Sequence, residues 1–278
     1  MRWIVRRARR MSRRARVLTV VATLVAYSPL TLLLIPGNVG AAAITSQSDA
    51  LTSRQVPTIS GTGQAFDGVA AVGALFTESG GELGTHFCSA SVVHSAHGDL
   101  VVTAAHCVTG IQGQIVFVPE YANGKEPYGI WPVTAIYTDQ AWQSSQDPDD
   151  DVAFLRLSDA SGHVPIENIT GAERLGIGSQ EPVLVRVIGY PDGADQPVVC
   201  TNWTKIFSPT QLEFDCDGYT DGTSGGPFLV DSSAASGQGT VVGVIGGYEQ
   251  GGDTPEVSYA AAFGPTVAAL YQSAEAGG

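Results

Sequence analysis

Short apolar runs rich in Val, Ile, Leu and Phe recur along most of the chain, separated by clusters of Gly, Asp, Ser and Pro. Their length and spacing are those of strands closed by tight turns. Six strands are predicted in the first half: Val69–Phe76, Phe87–His94, Asp99–Thr103, Gln114–Pro119, Trp131–Tyr137 and Asp151–Leu157. The second half also yields six: Val183–Gly189, Pro197–Ile206, Gln211–Cys216, Gly226–Val230, Gly239–Ile245 and Val257–Phe263. Equal halves predict an all-β chain of two similar barrels, joined across the loop-like stretch Ser158–Ser179. Helical signal is confined to the C-terminus, where Gly264 and Pro265 precede Thr266–Ala276 and the proline sits in the first turn.

The N-terminal residues break this pattern. Eight arginines lie before position 17, a mostly apolar run follows from Val17 to Ile35, and small residues fill Gly37–Ala43. That order is an export signal, so residues 1–43 are expected to be a signal peptide that sends the protein out of the cell. The apolar run is about as long as a bilayer span, which makes an uncleaved membrane anchor the alternative. Residues 44–65 are polar and aperiodic, as in a linker or pro-segment. The expected domains are then an N-terminal barrel over 66–170 and a C-terminal barrel with its terminal helix over 171–278.

Charge sharpens this picture. The 278 residues include 14 basic and 27 acidic ones, a formal net charge of −13. Removing residues 1–43 would leave 6 basic against 27 acidic residues, a formal −21. Such a surface repels nucleic acid and favours solubility and cationic encounter partners. A membrane would be met only through an uncleaved N-terminal segment, and a monomer is expected. Four cysteines in an exported chain point to two disulfides rather than metal ligands. Three pairings are open; the local ones, Cys88 with Cys107 and Cys200 with Cys216, would each contribute about 3 kcal/mol by loop entropy.

The chemistry lies in three short segments. A serine hydroxyl becomes a nucleophile only with a base to take its proton, a group that orients the base, and donors for the oxyanion. Thr103-Ala104-Ala105-His106-Cys107 places a histidine just after an apolar strand. Asp151 opens Asp151-Val152-Ala153-Phe154-Leu155-Arg156-Leu157, where a carboxylate meets a buried strand and needs a partner. Asp147, Asp149 and Asp150 precede it in what reads as a solvated acidic turn. Gly222-Thr223-Ser224-Gly225-Gly226-Pro227 supplies a serine between glycines, with the N–H groups of Gly222 and Ser224 able to converge as an oxyanion hole. The last segment also fits the GxSxG pattern of α/β-hydrolases, but that fold needs a histidine after the serine. None of His86, His94, His97, His106 and His163 follows Ser224. His94 and His97 lie among Ser, Ala and Gly and read as an exposed loop, not a metal pair.

Together with His86-Phe87-Cys88 and Gly243-Val244-Ile245-Gly246-Gly247, these segments resemble the chymotrypsin/trypsin family of serine peptidases over most of residues 66–273. The resemblance implies two six-stranded antiparallel barrels with the site in the cleft between them, and a Cys88–Cys107 disulfide. It implies His106 as general base and then acid, Asp151 as its orienting carboxylate, Ser224 as nucleophile, and Gly222 and Ser224 as oxyanion donors. The substrate would be a peptide or protein, with no metal or cofactor required. A catalytically silent binding relative and an esterase with the same triad are the competing readings.

Three departures bear on what carries over. Thr223 stands where digestive relatives have an Asp that binds a newly cut N-terminus, so activation by that ion pair is not expected. The chain is similar in this to the bacterial secreted branch that includes the glutamyl endopeptidases. Gly246 replaces a serine that usually bonds the triad Asp, which predicts a more open Asp151 or service by water or another hydroxyl. The primary pocket is expected between Asp217-Gly218-Tyr219 and Ile245-Gly246-Gly247-Tyr248. Gly218 takes the place of trypsin's specificity Asp, and Ile245 that of the histidine of glutamyl endopeptidases. Asp215 or Asp217 could reach a basic side chain, and Tyr219 and Tyr248 could frame an apolar one.

Overall fold

A computed structural model describes residues 61–158, 164–178, 181–233 and 236–277. The expected signal peptide over 1–43 and residues 44–60 of the expected linker lie outside them. A two-residue strand β1 (Gln64–Ala65) comes first. Six longer strands follow: β2 (Val72–Ser79), β3 (Glu82–Val93), β4 (Leu100–Thr103), β5 (Gln114–Pro119), β6 (Trp131–Thr138) and β7 (Ala153–Leu157). They close into a barrel in the order β2-β3-β4-β7-β6-β5. Large apolar side chains such as Leu75, Leu100, Phe117, Phe154 and Leu155 are fully buried in the core that forms inside and around it.

Two short helices interrupt the expected loops: α1 (Gln140–Ser145) and α2 (Glu167–Thr170). Six residues are too few to show a helical period, which is why α1 is not legible as one. Its stop and start are local, with Asp139 Oδ1 capping the Ala141 N–H at 2.7 Å and Gln146 adopting the left-handed region.

The second half forms β8 (Arg174–Leu175), β9 (Leu184–Gly189), β10 (Val198–Ser208), β11 (Gln211–Asp215), β12 (Pro227–Val230), β13 (Thr240–Val244) and β14 (Val257–Ala261). All six predicted strands are present, within a curled eight-stranded sheet ordered β14-β11-β10-β9-β12-β13-β8, with β1 also paired to β10. β13 and β14 approach each other through Phe263 N–H to Val242 O (3.2 Å) and Gly246 N–H to Tyr259 O (3.0 Å), which curls the sheet back on itself. A separate core of Val185, Val187, Phe214, Phe228 and Ala260 fills it.

The chain ends cross over between the halves. Helix α3 (Pro265–Ala276) follows the second sheet but packs on β6 and β7 of the first barrel, burying Val267, Leu270 and Ala274 in that core. The end of the expected linker pairs instead into the second sheet, with Gln64 opposite Val199 and Ala65 opposite Val198. The crossing stretch is likewise more than a loop, since β8 lies parallel to β13. Both disulfides take the local pairing, Cys88–Cys107 and Cys200–Cys216.

Candidate active site

Antiparallel pairing brings the first two site residues together. β4 and β7 are neighbours with Thr103 opposite Ala153. The chain leaving β4 and the chain entering β7 therefore share one rim of the barrel, and His106 and Asp151 meet there. His106 opens a 3-10 turn over His106–Val108, and the next residue, Cys107, is tied to β3 through Cys88. Trp142 of α1 braces the same turn by donating to Thr109 Oγ1 (2.9 Å), which itself donates to Ala105 O (2.8 Å).

Asp151 is fully buried and receives three N–H donors. His106 Nδ1 lies 2.7 Å from Oδ2, the His106 backbone N–H donates to Oδ1 at 2.8 Å, and the Gly247 N–H donates to Oδ2 at 2.9 Å. With the carboxylate accepting, the proton of the neutral ring sits on Nδ1, leaving Nε2 as the basic nitrogen. The expectation of a more open Asp151 is corrected here. The backbone amide of Gly247 supplies the contact, and a Cβ at Gly246 would stand 2.9 Å from Oδ2 and 3.2 Å from the Ala104 Cβ. Glycine at 246 is thus what allows the second sheet to close onto the carboxylate.

Ser224 lies in the turn between β11 and β12, held against the first barrel by Gly225. That glycine has φ +81, and a Cβ there would overlap Thr103 Oγ1 and Ser89 O. His106 and Ser224 line one cavity of about 640 Å³ between the two halves. No hydrogen bond joins Ser224 Oγ to His106 Nε2 in this structure; Nε2 lies 3.8 Å from Cys107 Sγ.

The carbonyls around Ser224 are all engaged on the side away from the cavity. Asp221 O accepts from Asp192 N–H (2.6 Å), Gly222 O from Ser89 Oγ (3.0 Å), Thr223 O from Gly226 N–H (2.9 Å) and Ser224 O from Ser89 N–H (2.7 Å). Thr220 O accepts both the backbone N–H and the hydroxyl of Thr223. Because a trans peptide points its N–H opposite its C=O, this arrangement turns the Gly222 and Ser224 N–H groups the other way. Among the described residues neither donates to a protein atom.

Of the residues expected to form the primary pocket, Tyr219 and Ile245 line the cavity, while Asp217, Gly218, Gly246, Gly247 and Tyr248 do not. Tyr219 is mostly core, its hydroxyl donating to Val187 O at 2.8 Å. Asp217 pairs by its backbone with residues 61 and 63, and Asp215 is ion-paired with Lys205. Tyr248 stands outside in a cluster with Phe207 and Tyr259, ring centroids 4.7–5.1 Å apart. The far wall is instead the loop 249–255, so that three acidic residues, Asp221, Glu249 and Asp253, are among those lining the cavity. Among the described residues no lysine or arginine lines it. That loop carried no sequence signal beyond its glycines. Elsewhere His94 is paired with Glu167 at 2.6 Å, and His163 lies outside the described residues. The sulfurs beside His106 are bonded to each other and offer no thiolate to a metal.

A closed six-stranded barrel facing a second curled sheet, with such a cavity between, is the fold of the chymotrypsin-like serine peptidases. Residues 84–244, more than half of the chain, match the family model described as a trypsin-like peptidase domain, and the chain belongs to that family. The solved structures agree. The protease Anisep from Arthrobacter nicotinovorans is 25% identical, with a TM-score of 0.66 over 77% of this chain and 100% of its own. A thermostable serine protease, AL20, from an extremophilic microorganism is 24% identical, with a TM-score of 0.64 over 76% of this chain and 99% of its own. A Glu endopeptidase shares the fold at 13% identity, with a TM-score of 0.61 over 77% of this chain and 97% of its own. No curated protein matches the sequence. A serine peptidase acting on peptide or protein substrates is what these likenesses support.

Proposed function

We propose that the protein is a secreted serine endopeptidase that cleaves peptide bonds through an acyl-enzyme on Ser224. The observation that carries this is one cavity lined by Ser224 and by a histidine oriented by a buried carboxylate, beside two N–H groups that donate to no protein atom among the described residues. In this reading His106 Nε2 takes the Ser224 proton as Oγ attacks the scissile carbonyl, then gives it to the leaving amine. Asp151 keeps the ring in the required tautomer and stabilises its cationic form. The Gly222 and Ser224 N–H groups receive the oxyanion, each contributing about 3 kcal/mol to the transition state. Export is supported by the Arg-rich, apolar N-terminal sequence and by two disulfides, which suit an oxidising compartment.

The glutamate preference named for one structural neighbour is not carried over, since the acidic residues Asp221, Glu249 and Asp253 line the cavity and would disfavour a glutamyl side chain. The missing Ser224–His106 hydrogen bond is the one observation on the side of a silent binding relative. Such bonds commonly tighten only when substrate is bound, and the buried His106–Asp151 pair beside Ser224 favours the enzyme. A fluorophosphonate probe should label Ser224 in the processed protein and leave Ser224→Ala unlabelled. Peptide hydrolysis should fall in that variant by at least about a thousandfold. A folded protein that is not labelled would establish the binding reading, and labelling with ester but no amide cleavage would establish the esterase.

A further inference from the structure

We infer that Ser89 is a positioning residue for the oxyanion loop, taking over through its hydroxyl the ordering role for which Thr223 leaves no internal ion pair. The inference rests on the serine peptidase reading and concerns how that site is kept assembled. Ser89 belongs to β3 and is fully buried. Its neighbour Cys88 holds the His106 turn, so two successive residues reach both sides of the site.

All of Ser89's polar groups are committed, the carbonyl within the first barrel and the N–H and hydroxyl across the interface. Its N–H donates to Ser224 O at 2.7 Å, and its carbonyl accepts from Thr103 Oγ1 at 2.8 Å. Its hydroxyl accepts the Tyr190 N–H at 2.8 Å, which directs the single hydroxyl proton to Gly222 O at 3.0 Å. Tyr190 and Asp192 are on one segment after β9, and Asp192 N–H holds Asp221 O at 2.6 Å. The peptides on both sides of Gly222 are therefore fixed, one by Asp192 and one by Ser89.

Gly222 is the residue most able to let that loop flip. Its φ is +89, and a Cβ there would meet Asp192 N at 2.6 Å. Turning the Asp221–Gly222 peptide over would withdraw the Gly222 N–H from the cavity and place a carbonyl where negative charge develops. Thr223 offers no charge to prevent this; its hydroxyl bonds only within the loop, to Thr220 O at 2.8 Å. The Ser89 hydroxyl is the side-chain group from the first barrel that restrains Gly222 directly.

The test is the kinetics of Ser89→Ala beside Ser91→Ala. Ser91 is on the same strand, equally buried, and its hydroxyl has no hydrogen-bond partner, so it controls for loss of a buried hydroxyl alone. At a temperature where all remain folded, Ser89→Ala should lose about tenfold or more in kcat with KM within about twofold. Affinity for a peptide aldehyde, which forms a tetrahedral oxyanion on Ser224, should fall by a similar factor. Ser91→Ala should keep kcat and aldehyde affinity. If Ser89→Ala does not fold, Ser89→Gly removes the same hydroxyl and decides the matter. A folded Ser89 variant with wild-type kcat, or an equal loss in Ser91→Ala, would overturn the inference. An inactive wild type would instead overturn the peptidase reading on which it rests.

Discussion

Glu173 shows how much a single side chain can cost where the two halves meet. It is fully buried; Oε2 accepts the Gly239 N–H and Oε1 accepts no hydrogen bond. Burial lifts its pKa from 4.5 to about 7, against the opposing pull of the Gly239 N–H, Arg186 and Arg174. The folded state thus holds a proton that the unfolded chain releases above pH 4.5. Glu173 is at its most favourable below that value, and stability is lost as pH rises to about 7. The difference corresponds to roughly 3 kcal/mol. Urea unfolding at pH 5 and pH 8 should show this decline in the wild type and a flatter profile in Glu173→Gln, whose amide oxygen can still accept the Gly239 N–H. A variant that keeps the full slope would refute the assignment. Asp151 is the contrasting case, a buried carboxylate with three donors and no orphaned oxygen.

Among the elements, the N-terminal strap matters beyond its length. Gly63 N–H donates to Asp217 O at 2.7 Å, Asp217 N–H to Gly61 O at 2.9 Å, and Phe66 N–H to Pro197 O at 3.1 Å. These bonds reach the segment that leads into Tyr219 and the nucleophile loop. Phe66 also lies beneath the Arg186 guanidinium, 5.5 Å from its ring centre. A chain beginning at Gly61 should therefore keep activity within about threefold of one beginning at Ile44. A chain beginning at Asp67 should lose at least about 2 kcal/mol of stability and show a raised KM, as several ladder bonds at about 1 kcal/mol each are removed. Thermal melts and steady-state kinetics of the three chains would check this. Equal behaviour of all three would show that the strap supports nothing.

Over the whole molecule, the acidic balance and the site act together. Lys125, Arg156, Arg174, Arg186 and Lys205 are the basic residues among the described ones, and none lines the cavity that carries Asp221, Glu249 and Asp253. A negative cleft on a negative protein should draw cationic peptides and repel anionic ones. Raising salt from about 0.01 M to about 1 M shortens the Debye length from about 30 to 3 Å. It should reduce kcat/KM for a Lys/Arg-rich peptide by about tenfold and raise it for a Glu-rich one; parallel rates for both would exclude electrostatic selection.

How much of this can be read from the sequence varies with the range of the interaction. Twelve strands, the terminal helix and the order His106, Asp151, Ser224 were legible because each depends on neighbouring residues or on short spacings. Asp151 stood out from its acidic neighbours because it abuts a buried strand. Ser89, the Gly247 amide, the 249–255 wall and the crossed chain ends were not legible. Each acts on groups far away in sequence, and a lone serine or a glycine carries no periodic signal of what will be folded against it. The sequence by itself determined the chemistry available to the site; the packing of one half on the other decided which donors, walls and charges surround it.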